Sequence, residues 1–168
     1  DGSITFWNEE YKEHYHTPAG ARLEAVEKYI VPSKLAERLT KGHVQLLDVC
    51  FGLGYNSLAA MEIAAGGATS SLPVDDEDVI PPNLSITALE MDRRVVGAAA
   101  QNIQTLETDT FDWKRTLEEI YTCGKSRLTS QASLKIHWGD ARHTITKLPP
   151  STFDLVFLDA FSTQRNSE

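Results

Sequence analysis

With 168 residues, 41% of them hydrophobic and 24% charged, the chain fits one globular domain able to bury roughly two-thirds of its unfolded surface. Its net charge of −8 argues against a broadly basic nucleic-acid-binding surface. Cys50 and Cys123 make neither a disulfide framework nor a C-x-x-C metal pair, so a reducing cytoplasm is the expected setting. No apolar run reaches the length of a membrane span, since the richest candidate, 58–68, is short and contains Glu62. No signal peptide is expected either.

The first segment, 1–17, mixes Ile4, Phe6, Trp7, Tyr11 and Tyr15 with polar residues and is expected to form a short strand or hairpin. His14 and His16 bracket Tyr15 and, at strand spacing, would share one face. They suit a structural or substrate-side role better than a metal pair, because no third ligand stands at a helpful spacing. After the turn at 18–20, Ala21, Ala25, Val26, Tyr29 and Ile30 recur at helical spacing. Pro32 is expected to interrupt that helix, with a second one opening at 32–34 and stopping at Lys41-Gly42.

Val44, Leu46, Leu47 and Val49 form an apolar run with little alternation, as expected for a strand buried on both faces. It leads directly into Phe51-Gly52-Leu53-Gly54 and then into a helix of good helix formers starting near Asn56. A strand, glycine turn and helix in that order bring backbone N–H groups and a helix N-terminus close to a ligand. The polar stretch 66–82, with its acidic run 75–78, is too long for an ordinary helix-to-strand connection and is expected to be an exposed insertion.

A second strand, 85–89, ends in Glu90-Met91-Asp92. The helix after it should face Val95, Val96, Ala99, Ile103 and Leu106 inward, and a further helix, 112–121, should bury Trp113, Leu117 and either Ile120 or Tyr121. Gly124 is expected to end that helix. Leu134, Ile136 and Trp138 alternate in a third strand that runs into Gly139-Asp140-Ala141, with a helical turn over 142–148. The fourth strand, 153–158, ends at Asp159. Strands alternating with helices predict right-handed crossovers and a mostly parallel sheet. The start at Asp1 and the polar run 162–168 after the last strand read as the ends of a fragment.

Chemistry collects at the strand ends: the glycine turn, then Glu90, Asp140 and Asp159. One acidic residue there would be a helix N-cap. Three such positions beside a glycine turn are hard to explain as capping. By position, Glu90 can accept two hydrogen bonds from a ribose diol, Asp140 lies where an adenine amino group would be, and Asp159 faces the reacting end of the ligand.

Asp48-x-Cys50-x-Gly52-x-Gly54, Glu90, Gly139-Asp140-Ala141 and Leu158-Asp159-Ala160-Phe161 resemble the successive motifs of S-adenosylmethionine-dependent methyltransferases. Asp1-Gly2-Ser3, Glu13-His14-Tyr15-His16, Gly20-Ala21 with Glu24, and Phe51 to Asn56 narrow the resemblance to the MnmC-type methyltransferases. It spans nearly the whole chain outside 66–82. It implies a Rossmann-like class I α/β fold with helices on both faces: an N-terminal hairpin and helical extension, 1–43, packs on a partial core, 44–168, that lacks its C-terminal strands. It also implies S-adenosylmethionine as cofactor, with Tyr15, Glu24, Cys50, Phe51, Gly52, Gly54, Asn56, Glu90, Met91, Asp140 and Ala141 around it and Glu24 near its methionine end. Asp159 would hold an amine, and the implied substrate is the 5-aminomethyl(-2-thio)uridine of the tRNA wobble position. Cys50 departs from the pattern by standing where many methyltransferases have their first glycine.

Three other readings stand beside this one. A nicotinamide-dependent oxidoreductase would need a third glycine where Ser57 stands, and a shorter separation than that from the turn to Glu90, about 20 residues being usual. An aminopropyl transferase shares the acidic strand ends, but the N-terminal segment with Tyr15, His16 and Glu24 favours the methyltransferase. The fragment itself could also fold and bind cofactor yet be inactive.

Overall fold

A computed structural model describes residues 2–17, 20–66, 84–128 and 131–161. All but the first residue of the expected insertion, and the polar run 162–168, lie outside the described residues. The sheet is built on β3 (Val44–Val49), which pairs in parallel with β4 (Leu84–Glu90) on one side and β7 (Leu155–Leu158) on the other. Beyond β4 lie β6 (Ala132–Trp138), also parallel, and the antiparallel edge strand β5 (Lys125–Leu128). The order β5-β6-β4-β3-β7 makes the carboxyl end of β3 the switch point, with successive connections leaving to opposite sides.

Burial follows the pleat. Val44 and Leu46 of β3 join the main core, which also takes in α4 (Tyr55–Ala64), α5 (Arg93–Asn102) and α6 (Trp113–Cys123). Leu47, Val49 and Leu89 point the other way into a small second cluster closed by Ala141, Leu148 and Phe153. The helices therefore divide unevenly between the faces. On β7 only Phe157 is buried, whereas Val156 and Leu158 are 59% and 64% exposed.

The N-terminal residues are tied to this core by specific bonds. After β1 (Trp7–Asn8) and β2 (Glu13–His14), the chain enters α1 (Ala21–Ala25). The buried Tyr55 hydroxyl accepts from the amide of Ile4 at 3.0 Å and donates to its carbonyl at 3.1 Å. Arg22 lies over the Trp113 ring at 3.7 Å and forms two bonds with Asp109, at 2.5 and 2.9 Å.

Several local expectations are corrected. Helix continues through Pro32, over a wider π-helical turn at Val26–Ile30 and α2 (Val31–Ser33). The wider turn shifts the bonding by one residue, so Val31 donates to Val26 and the missing Pro32 donor is accommodated. The break comes instead at Lys34, which adopts a left-handed conformation (φ 52°) before α3 (Leu35–Leu39). Strand β5 has no apolar alternation because it is an edge, where Lys125 and Arg127 discourage further pairing. Helix α5 ends at Asn102, leaving Leu106 beyond it and 39% exposed. Of the alternatives on α6, Ile120 is the buried one and Tyr121 is 40% exposed. β7 begins at Leu155 rather than 153. No helix among the described residues is long and apolar enough to cross a membrane.

Candidate active site at the carboxyl ends of the strands

The glycine turn is sterically determined. Gly54 has φ +88°, and a Cβ there would lie 2.7 Å from Phe51 Cζ and 3.1 Å from Leu117 Cδ2. Cys50 is also left-handed, at φ 68°, a conformation that costs an L-residue about 1–2 kcal/mol and explains why glycine usually stands at that place.

Four amides of the turn, those of Cys50, Phe51, Gly52 and Gly54, are already satisfied within the protein, which changes what the turn can do. Cys50 and Phe51 both donate to the Leu89 carbonyl at 3.1 Å, and Gly54 donates to Phe51 at 2.9 Å. Gly52 donates to Glu90 Oε2 at 2.8 Å. The expectation that these N–H groups face a ligand is therefore corrected: the loop is held by the protein and presents its curvature. Glu90 is correspondingly occupied, since its Oε1 accepts from the amides of Met91 and Asp92, each at 2.8 Å. Only Oε2 keeps a free lone pair, so Glu90 can accept one hydroxyl, where a pair had been expected.

A cavity of about 940 Å³ opens beside this turn, roomy against the roughly 300–1,000 Å³ usual for small-molecule sites. Of the expected residues, Tyr15, Glu24, Cys50, Gly52, Glu90, Met91, Asp140, Ala141 and Asp159 line it. Phe51, Gly54 and Asn56 do not. Phe51 is buried in the core, where it packs against Gly54, and Asn56, also buried, reaches behind the wall to donate to Asp159 Oδ2 at 2.9 Å. Asn56 is thus a residue that orients Asp159.

Asp140 is the N-cap of α7 (Ala141–Thr144), accepting from the Arg142 amide at 2.8 Å. The Arg142 side chain, bonded to the same carboxylate, brings its pKa down to about 2. Asp92 repeats the device with Arg94 at the start of α5. Both arginines line the cavity, and neither was singled out from the sequence. The spacing Asp-x-Arg at two helix starts was the available signal.

Acidic groups dominate the interior. Asp48 is fully buried beneath the turn, with Oδ2 accepting from Ser57 Oγ at 2.6 Å and Oδ1 having no partner among the described residues. Burial pushes its pKa up to about 7, with Asp159 and Glu90 adding to the rise. The Cys50 thiol is pushed up to about 11, first by burial and then by Glu90, so it stays protonated and is no thiolate nucleophile. Tyr29, at the same end, is raised by burial and by Asp159.

The hairpin corrects one more expectation. β2 ends at His14, so His14 and His16 do not share a face: His14 is exposed and His16 buried. His16 lines the cavity beside Glu24, its Nδ1 3.9 Å from Glu24 Oε2. Among the described residues, no three His, Cys, Asp or Glu side chains converge as a metal site.

The model of S-adenosyl-L-methionine-dependent methyltransferases matches residues 101–168. This chain is similar to that family over those residues, its C-terminal part. The fold is similar to that of MnmC2 from Aquifex aeolicus, with a TM-score of 0.70 and 28% identity over 99% of this chain and 49% of that one. An uncharacterised protein of Methanocaldococcus jannaschii is 27% identical over 166 residues, which is 99% of this chain and 41% of that protein. The chain thus spans half or less of the length of these relatives.

The site fits the family's cofactor on its own observations. The sulfonium and ammonium of S-adenosylmethionine are cations, and Glu24, Glu90, Asp140 and Asp159 give the cavity a negative field.

Proposed function

We propose that this chain is the cofactor-binding and catalytic part of an N-methyltransferase acting on the aminomethyl group of 5-aminomethyl(-2-thio)uridine at the tRNA wobble position. The observation that carries the reading is the acidic cavity beside a turn whose amides are satisfied internally. A dinucleotide's pyrophosphate would need those amides free and would face Glu90 and Asp159. The wobble uridine and tRNA enter through the MnmC-type sequence motifs and the likeness to MnmC2.

In this reading Glu90 and Asp140 would hold the ribose and adenine side, and Glu24 the methionine end. When bound, the cofactor supplies a methyl group activated by the positive sulfur. The chain then has to hold an amine nitrogen in line with it, which is mainly a matter of orientation. Asp159 would take the amine proton, directly or through water, while Asn56 fixes its carboxylate. No covalent enzyme intermediate is needed.

Asp159→Asn is expected to bind S-adenosylmethionine as the parent does and to lower methyl transfer by about 100-fold, the lower end of what a general base contributes. The assay follows labelled methyl transfer to an anticodon stem-loop carrying 5-aminomethyluridine. Unchanged transfer removes Asp159 from the mechanism. No transfer by either form, with binding intact, points to a different acceptor or to a part of the protein outside this chain.

A further inference from the structure

Asp159 follows the least supported strand of the sheet. β7 is four residues long and, among the described residues, lies at the outer edge and pairs only with β3. Val156 and Leu158 on it are mostly exposed. Segments with few buried contacts open at the lowest cost in a fold, and opening here would carry the Asp159 carboxylate out of place.

The peptide group that joins Leu158 to Asp159 is bonded on both sides. The Asp159 amide donates to the Val49 carbonyl at 3.2 Å, so it points inward to β3. In a planar trans peptide the carbonyl points the opposite way. The Leu158 carbonyl therefore faces the outer edge, where no strand among the described residues can bond it. The Tyr29 hydroxyl donates to it at 3.2 Å.

Tyr29 comes from the π-helical turn at Val26–Ile30, and such wider turns are frequent at functional sites. Its ring packs on Phe157, with centroids 5.2 Å apart, which holds the hydroxyl at the strand end. Burial first, and then Asp159, raise the pKa of the phenol, so the hydroxyl remains a donor at neutral pH. Tyr29 does not line the cavity, so an effect on the chemistry has to pass through Asp159.

Resting on the role given to Asp159 above, we propose that Tyr29 is a positioning residue that pins the Leu158–Asp159 peptide from the outer edge and so keeps the carboxylate aimed at the acceptor amine. Asn56 holds the side chain, while Val49 and Tyr29 hold the backbone.

The test is Tyr29→Phe, which keeps the ring on Phe157 and removes only the donor. Hydrogen exchange followed by NMR is expected to show the Asp159 amide exchanging roughly 2- to 10-fold faster, the factor that loss of one hydrogen bond predicts, with the amides inside β4 unchanged. In the methyl-transfer assay kcat is expected to fall by the same factor, with KM for the stem-loop and the affinity for S-adenosylmethionine within about twofold. In an Asp159→Asn background the same substitution is expected to cost nothing more, because both changes act on one group. A merely structural role would lower transfer alike in both backgrounds.

Unchanged exchange at Asp159, unchanged kcat, or equal losses in both backgrounds overturn the role of Tyr29 while leaving the reading of Asp159 intact. No methyl transfer by the folded parent chain overturns that reading for this chain, and the role of Tyr29 in transfer falls with it.

Discussion

Glu90→Gln is expected to weaken S-adenosylmethionine by roughly 10- to 100-fold and to lower the melting temperature of the unliganded chain. The carboxylate accepts three backbone amides: Gly52 on one oxygen, and Met91 and Asp92 on the other. A glutamine must set its NH2 against one of these groups. The side with two donors is the costlier, so the amide nitrogen turns to Gly52 and the turn loses its anchor. The lone pair left on Oε2, the one able to take a ribose hydroxyl, disappears in the same step. A hydrogen bond to a charged group is worth about 1.5–3 kcal/mol, so losing the one to the ligand gives roughly 10- to 100-fold, and losing the one to Gly52 gives the lower melting temperature. Titration reads the affinity, and a thermal melt without ligand reads the anchor. A variant that keeps both would mean that Glu90 neither holds the turn nor touches the cofactor.

Asp48→Asn is expected to stabilise the chain increasingly as pH rises from about 4 to 7, most above neutral pH, and to do little below about pH 4. The folded-state pKa of Asp48, about 7, lies above its ordinary value of 3.8. Between those values the folded chain binds more protons than the unfolded one, so stability is full at low pH and falls as pH rises. Three pKa units at 1.36 kcal/mol each set an upper bound of roughly 4 kcal/mol on that loss. Asparagine remains neutral throughout and still offers an oxygen to Ser57, whose hydroxyl donates at 2.6 Å. Denaturant unfolding at pH 4.5 and pH 8 checks this. Parallel curves for variant and parent, or a variant less stable at pH 8, would show that Asp48 is not buried in the charged state.

These two residues also show what was legible in the sequence. The run Val44–Val49 and the glycines after it announced a buried strand and a turn, because burial on both faces and left-handed backbone restrict residue choice strongly. The acidic strand ends announced the site for the same reason. Hydrogen-bond direction inside the turn leaves no mark on composition, so the internal engagement of its amides and of Glu90 was invisible. Phe51 and Asn56 were placed in the site by the family resemblance, although Phe51 packs into the core against Gly54 and the first turn of α4 carries Asn56 inward.

Strand β5 was missed because an edge with Lys125 and Arg127 has no apolar face to reveal it. His16 was misplaced because the hairpin strands are only two residues long, too short for alternation to persist past His14. Its burial depends on Tyr55 and Glu24, both far from it in sequence or on another element.

The cavity at the strand ends is expected to take an adenosyl sulfonium and to exclude a dinucleotide. Calorimetric titration of this chain with S-adenosylmethionine and, separately, with NADH tests it most directly. The expected result is one molecule of S-adenosylmethionine bound per chain and no heat from NADH at millimolar concentration. Binding of NADH, or a folded chain that binds neither, would contradict it.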